Sequence, residues 1–302
     1  MELFSDGMRV AVLFQAIYIL LARVYGIMLF LNKEGPMTIG IGAVCNNGKA
    51  IILTSDAMVT HGGLSIQFEH YSRKMTELSD HCWALTAGDA LAHTELFNMV
   101  LGEIHKLKSP SVLEIVDKIK ECYQIIRMKE IVEKHLKPKG FQGIQEFYQA
   151  QRYLLPEITI TIQNKIDTYD YGLQILIGGF SQGSSDLYYI DNPGVSSCFD
   201  SIGFHAIGSG TPHALNCLIA RNCHQGLSLE ESILMVYEAK KMAEKAPGVG
   251  SNMTDMIIID SNGAKKFKRE HFNCLDTIHK KWVVNKNGWK TEVQTWIKAN
   301  GG

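Results

Sequence analysis

The sequence has no large excess of charge of either sign. Its 302 residues carry 30 Lys and Arg against 31 Asp and Glu, a net charge of −1. That excludes the global basic field that recruits nucleic acid through phosphate contacts. A C-x-x-C pair is also absent. Seven cysteines stand singly at positions 45, 82, 122, 198, 217, 223 and 274. An odd, scattered set in a long chain argues against a disulfide framework and for reduced thiols in a cytosol-like compartment. There is no H-E-x-x-H, and none of the 11 histidines pairs with cysteine at zinc spacing. No metal site is expected, and His70 and His81 read as surface residues. A G-x-x-x-x-G-K-[ST] loop is missing too, so nucleotide phosphates have no such cradle here. What is present is ordinary for a globular protein, at 46% hydrophobic and 20% charged. The length suits one large domain or two small ones.

The most informative stretch is residues 37–60, MTIGIGAVCNNGKAIILTSDAMVT. Two apolar runs, Ile39–Val44 and Ala50–Leu53, flank Asn46-Asn47-Gly48. Asn and Gly tolerate the positive φ of tight hairpin turns, so a hairpin is predicted. Antiparallel pairing folds the chain back and brings Asp56 towards Thr38. A hydroxyl nucleophile beside a carboxylate is the beginning of a catalytic constellation. Met37 precedes Thr38. If the chain began at Thr38, its free α-amine, with an ordinary pKa of about 7.7–8.0, could serve as base for its own hydroxyl. The plainer alternative is a strand threonine followed by a turn aspartate.

Residues 1–36 are unlike the rest. Val10–Leu31 is apolar apart from Gln15, Arg23 and Gly26. Its length approaches a membrane span, although Arg23 in the middle is costly there. Three readings stand: a membrane anchor or signal-like segment, a propeptide removed to expose Thr38, or upstream sequence before a true start at Met37. The last two are favoured because both free Thr38.

After the first hairpin, His61-Gly62-Gly63 reads as a turn, and Ser65–Phe68 and Met75–Leu78 as strand edges around Arg73-Lys74. Cys82–Ala87 reads as a buried strand that Gly88 ends. Leu91–Leu107 and Val112–Arg127 have helical spacing, and 128–158 reads as a helical insertion without chemistry. Glu157–Ile162, EITITI, alternates and is predicted as a strand. Leu173–Phe180 and Leu187–Ile190 form a second hairpin, and Phe204–Ile207 one more strand. Thr211 is expected to cap the next helix with Pro212 at its first position. Ser228 and Glu231 form a capping box for a helix that reaches about Lys245. Met253–Asp260 is a buried strand, and 261–302 a charged tail of strand plus peripheral helix with Trp282, Trp289 and Trp296. Strands, two helices, strands, two helices and a strand fit an α+β fold, a four-layer α-β-β-α sandwich.

This order and these residues resemble the proteasome β-type subunits and their bacterial relative HslV, which are N-terminal-nucleophile hydrolases. The resemblance covers residues 37–260, with 1–36 as a leader and 261–302 as an extension. Thr38, Gly48, Asp56, Lys74, Ala87-Gly88 and Gly208-Ser209-Gly210 stand in the family's order. So do Thr60, Gly178-Gly179 and the helix start Gly226–Glu231. The resemblance implies a threonine endopeptidase: Thr38 as nucleophile, Asp56 orienting Lys74 and the amine, and Lys74 as a persistent cation lowering the hydroxyl's pKa. Gly88 would offer its N–H to the oxyanion, glycine being suited to close approach of substrate. Ser209 would hydrogen-bond near the amine, and the backbones of Thr60 and Gly88 would hold the peptide. It further implies no cofactor, a cytoplasmic ring homo-oligomer, protein or peptide substrates, and an ATP-driven unfoldase ring as partner.

Two departures stand out. The spacing from Gly48 to Asp56 exceeds the family's, so a bulge is expected in the second strand. Where the family carries an acidic residue and then Ser-Gly after its last long helix, this chain has Glu244-Lys245-Ala246-Pro247-Gly248. Pro247 brings neither hydroxyl nor N–H; Glu244 and Ser251 are candidate substitutes. The alternative reading is therefore a catalytically inactive structural subunit of such a ring, with residues 1–36 retained. A third, a membrane-anchored binding protein, rests on residues 10–31 alone.

Overall fold

The structure is a computed structural model that describes residues 38–61, 66–69, 74–247, 249–251 and 253–286. Side chains of 58–61, 66–69 and 283–286 are outside that description. So are residues 1–37, Gly62-Gly63, Trp289 and Trp296. In chain order the elements are β1 (Gly40–Cys45), β2 (Ala50–Asp56), β3 (Met58–His61), β4 (Ile66–Glu69), β5 (Met75–Ser79) and β6 (Cys82–Gly88). Helices α1 (Ala90–Ile104), α2 (Val112–Ile131), α3 (Ile144–Ala150) and α4 (Pro156–Asp167) follow. Then come β7 (Leu173–Ser181), β8 (Ser184–Asp191), β9 (Val195–Cys198), β10 (Phe204–Ile207), α5 (Thr211–Ala220) and α6 (Leu229–Ala243). The described chain ends with β11 (Thr254–Asp260), β12 (Gly263–Lys266) and α7 (Arg269–Lys286).

Two antiparallel five-stranded sheets form the frame, ordered β10-β1-β2-β11-β12 and β5-β6-β7-β8-β9. The β1–β2 hairpin turns through Asn46 and Asn47 at φ 53° and 56°, the left-handed conformation that asparagine tolerates better than most residues. Its register runs unbroken from Gly40 opposite Ser55 to Cys45 opposite Ala50. The β2–β11 register is equally regular. The bulge expected in β2 is therefore not there.

Side-chain alternation in the strands decides what each face buries. Ile39, Ile41 and Ala43 of the first sheet pack with Ile52, Met256 and Ile258 against Val236, Ala239 and Ala243 of α6. Their neighbours Val44, Ile51, Leu53 and Ile257 face the other way and pack with Trp83, Leu85, Leu176 and Leu187 of the second sheet. That sheet's other face, with Ala84, Ile175 and Ile177, meets Leu96, Val100, Ile115 and Ile119 of α1 and α2. Burial on both faces explains why β1, β2 and β7 read as near-continuous apolar runs. Each fully buried Leu or Ile contributes about 1.5–3 kcal/mol relative to exposure.

The helices start where their caps dictate. Asp89 accepts from Leu91 N and Ala92 N at 2.7 and 3.3 Å. Ser111 with Glu114, and Ser228 with Glu231, form capping boxes; losing such a cap costs about 1 kcal/mol. Thr211 is not the cap it was expected to be. Gly210 occupies that position without a side-chain bond, and Thr211 Oγ1 is buried without a partner.

Residues 128–158 are mostly helical, with breaks at 140–143 and 154–155. A wider helical turn, Val132–Leu136, continues α2, and Ile131, Leu136, Phe147, Ile162 and Ile166 make a small separate core. The strand expected at Glu157–Ile162 is part of α4 instead. Pro156 sits in its first turn, where a missing N–H costs nothing. Ile162 and Ile166, four residues apart, reach the small core, while Ile158 and Ile160 stay exposed. Helical burial at period 3.6 thus overrides the strand preference of β-branched residues, which is worth only a fraction of a kcal/mol each.

Candidate active site

The first hairpin by itself brings Thr38 to Asp56. Extending its register sets Ile39 opposite Asp56, whose N–H donates to Ile39 O at 3.3 Å. Asp56 is the last residue of β2 and is 1% exposed. Its Oδ1 accepts from Thr38 Oγ1 at 2.6 Å and from Ile39 N at 3.0 Å. Its Oδ2 accepts from Gly250 N at 2.8 Å. A carboxylate this deeply buried needs these donors, since an unpaired buried charge is strongly destabilising.

Lys74 arrives from the second sheet. It immediately precedes β5, and its carbonyl accepts from Thr86 N of β6 at 3.1 Å. Its Nζ lies 2.7 Å from Asp56 Oδ1 and also donates to Thr38 Oγ1. Burial pulls the Lys74 pKa below the ordinary lysine value; the Asp56 carboxylate opposes this and the Lys240 ammonium reinforces it. Desolvation outweighs the carboxylate, so Lys74 releases its proton more readily than a solvated lysine.

The loop between β10 and α5 closes over Thr38. Ser209 Oγ accepts from Thr38 N at 3.3 Å, and Gly210 N donates to Thr38 O at 3.2 Å. Gly208 has φ +93°, and a Cβ there would stand 2.3 Å from Thr38 O, so only glycine fits. Gly208 N donates to Gln174 Oε1 at 2.9 Å. Gln174 is on β7 opposite Ala87, so the loop is anchored to the second sheet.

Gly88 ends β6, two residues beyond Thr86. Among the described residues no side-chain hydrogen bond joins it to the Thr38 group. Its identity has a local cause: at φ +141°, a Cβ would meet Gly172 O at 2.2 Å. The close approach of β7, rather than of a substrate, already requires glycine here. Thr60 lies in β3, paired with Gln67 of β4; its side chain is outside the described residues.

The departures after α6 also find their places. Pro247 has no hydroxyl, but its carbonyl is 3.5 Å from Ser209 Oγ. Glu244 does not reach Thr38; its Oε1 accepts from Lys240 Nζ at 2.5 Å and lies 3.2 Å from Lys241 Nζ. Ser251 is exposed and makes no hydrogen bond to the group among the described residues. Three participants were not foreseen: Gln174, Gly250 and Lys240. Lys240 had a visible signal, a lysine on the apolar stripe of α6 between Val236 and Ala243. Gln174 and Gly250 had none. Among the described residues, no group of three or more His, Cys, Asp or Glu is placed to hold a metal ion. No helix there is long and apolar enough to cross a membrane; Val10–Leu31 lies outside the described residues.

No family model matches the chain. Curated relatives do. The proteasome subunit beta 2 of Staphylothermus marinus is 29% identical over 123 residues, covering 38% of this chain and 56% of the relative. The proteasome subunit beta of Methanopyrus kandleri is 32% identical over 106 residues, covering 35% of this chain and 49% of the relative. The chain thus spans about half the length of the curated relatives it matches. Over about a third of its length, the chain is similar to these two proteasome beta subunits.

Proposed function

We propose that this chain is a threonine-type endopeptidase subunit of a proteasome-like, self-compartmentalising protease. The observation that carries the reading is the meeting of Thr38 Oγ1, Asp56 Oδ1 and Lys74 Nζ in one buried group. The similarity to proteins named as proteasome beta subunits supports it. On this reading the two sheets and their helices are the four-layer sandwich of N-terminal-nucleophile hydrolases. Residues 37–260 are the domain, 128–158 its insertion, and 261–302 an extension.

The chemistry follows from a chain that begins at Thr38. The freed α-amine, beside Ser209 Oγ, takes the proton of Thr38 Oγ1. The oxygen attacks the peptide carbonyl, and the tetrahedral oxyanion is met by the N–H of Gly88. The C–N bond then breaks, the leaving amine takes the proton, and the peptide remains esterified to Thr38. Water hydrolyses that ester with the amine again as base. Asp56 holds Lys74 against the hydroxyl, and the ammonium favours its deprotonated form. The Thr60 and Gly88 backbones bind the peptide. The chemistry needs no metal or cofactor, and the subunit works in a cytoplasmic homo-oligomeric ring fed by an ATP-driven unfoldase.

Hydrolysis of fluorogenic peptides by protein beginning at Thr38 tests this. Thr38→Ser is expected to retain turnover, and Thr38→Ala to lose a factor of about 10³ or more while folding normally. Turnover that persists in Thr38→Ala overturns the assignment. Pro247, standing where the family has a hydroxyl, favours the second reading, an inactive structural subunit. An intact mass of the native protein that includes residues 1–36 would support that alternative.

A further inference from the structure

Lys240 is 0% exposed, yet it carries an ammonium in the last turn of α6. Its Nζ donates to Glu244 Oε1 at 2.5 Å and to Gly250 O at 3.1 Å. The same residue, Gly250, donates its N–H to Asp56 Oδ2 at 2.8 Å. Gly250 is thus clamped on both sides of its backbone, by an ammonium on its carbonyl and a carboxylate on its N–H. The other oxygen of that carboxylate holds Thr38 Oγ1 and Lys74 Nζ. A chain of contacts runs from α6 through 249–251 to the nucleophile. Burying an ammonium is costly, and a purely structural contact at this position could be made by an apolar side chain without that cost.

We propose that Lys240 is a positioning residue for the Thr38 site, holding Gly250 so that its N–H stays on Asp56 and fixes the carboxylate against Thr38 and Lys74. The inference rests on the peptidase reading above. The charged groups facing Lys240 are Glu244 and Lys241 on its own helix, Asp56 on β2, and Lys74 before β5.

Two variants test it in protein beginning at Thr38. Lys240→Met keeps the length of the stem and removes the donor. The double variant Lys240→Met with Glu244→Gln removes both charges, so no unpaired carboxylate is left buried, and it decides the matter if the single variant does not fold. In both, kcat is expected to fall about tenfold or more with KM unchanged, the consequence of one lost charge-assisted hydrogen bond. Amide hydrogen exchange should show Gly250 N–H losing its protection. The acid limb of the pH profile should move to higher pH in the single variant, because a lost cation favours the protonated amine, and return in the double. Recovery of wild-type kcat in the double variant would overturn the proposal, since Lys240 would then merely balance Glu244. So would unchanged Gly250 protection in either variant. If wild-type protein has no Thr38-dependent turnover, the peptidase reading fails, and the exchange measurement still decides whether Lys240 holds Gly250.

Discussion

Asp56→Asn is the most searching single perturbation of this structure. The substitution preserves shape, but the donors to Asp56 include Thr38 Oγ1, Ile39 N, Lys74 Nζ and Gly250 N. An amide has one oxygen, so its nitrogen must face a donor that it cannot satisfy. The larger loss is the charge. Lys74, 12% exposed along its side chain, would have no carboxylate beside it. Breaking a buried pair by removing one partner costs about 3–5 kcal/mol. Lys74 can limit the damage by shedding its proton, which at pH 7 costs at most about 4.6 kcal/mol against an ordinary pKa near 10.4. The expected loss at pH 7 is therefore about 3–5 kcal/mol, a large part of the roughly 5–15 kcal/mol that holds a domain. The sign of its pH dependence follows. With Lys74 neutral when folded and charged when unfolded, the unfolded state binds the extra proton, so stability rises with pH. The deficit of Asp56→Asn should shrink by about 1.4 kcal/mol per unit above pH 7. Urea unfolding at pH 7, 8 and 9 measures this. A loss under 1 kcal/mol, or one that does not change with pH, refutes the account of a buried ion pair. Adding Lys74→Met to Asp56→Asn should restore most of the stability, because no unpaired charge remains.

Gly88→Ala should destabilise the protein by about 2–4 kcal/mol, since the new Cβ meets Gly172 O at 2.2 Å on a backbone at φ +141°; wild-type urea stability in that variant would contradict the packing argument. The His205 ring, stacked on Phe199 and packed against Tyr189, has its pKa pulled down by burial to about 4. Between its ordinary 6.5 and about 4 the unfolded chain takes up a proton that the folded protein refuses. Stability is whole above that window and lost as pH falls through it. His205→Leu should flatten that part of the stability–pH curve, and parallel curves for the two proteins would refute it.

What could be read before the structure was what depends on neighbours in sequence. The Asn46-Asn47-Gly48 turn, the antiparallel pairing that follows it and hence the approach of Thr38 to Asp56 lie within a short span whose geometry a hairpin imposes. The capping boxes at Ser111 and Ser228 are equally local, each closing over three residues. The errors came where distant packing arbitrates. EITITI has the alternation of a strand, but it has no sheet neighbour and lies over a small core at helical spacing. Thr211 has a capping side chain, but the cap falls one residue earlier, at Gly210, where a Cβ would crowd Ile39 and Ala243.

Local chemistry along the chain specified the strands and helices with short-range signals, the hairpin that carries Thr38 and Asp56, and a family resemblance that the matched relatives support. Packing of distant segments brings Lys74 in from a second sheet, sets Ser209 beside Thr38 across 171 residues of chain, and lets Gly250 reach Asp56 across 194. It alone decided that Lys240 is buried behind them and that burial, more than Asp56, sets the proton affinity of Lys74. The physical reason is the same in each case. Burial and charge pairing are properties of the space between elements, and that space exists only once the sheets have packed.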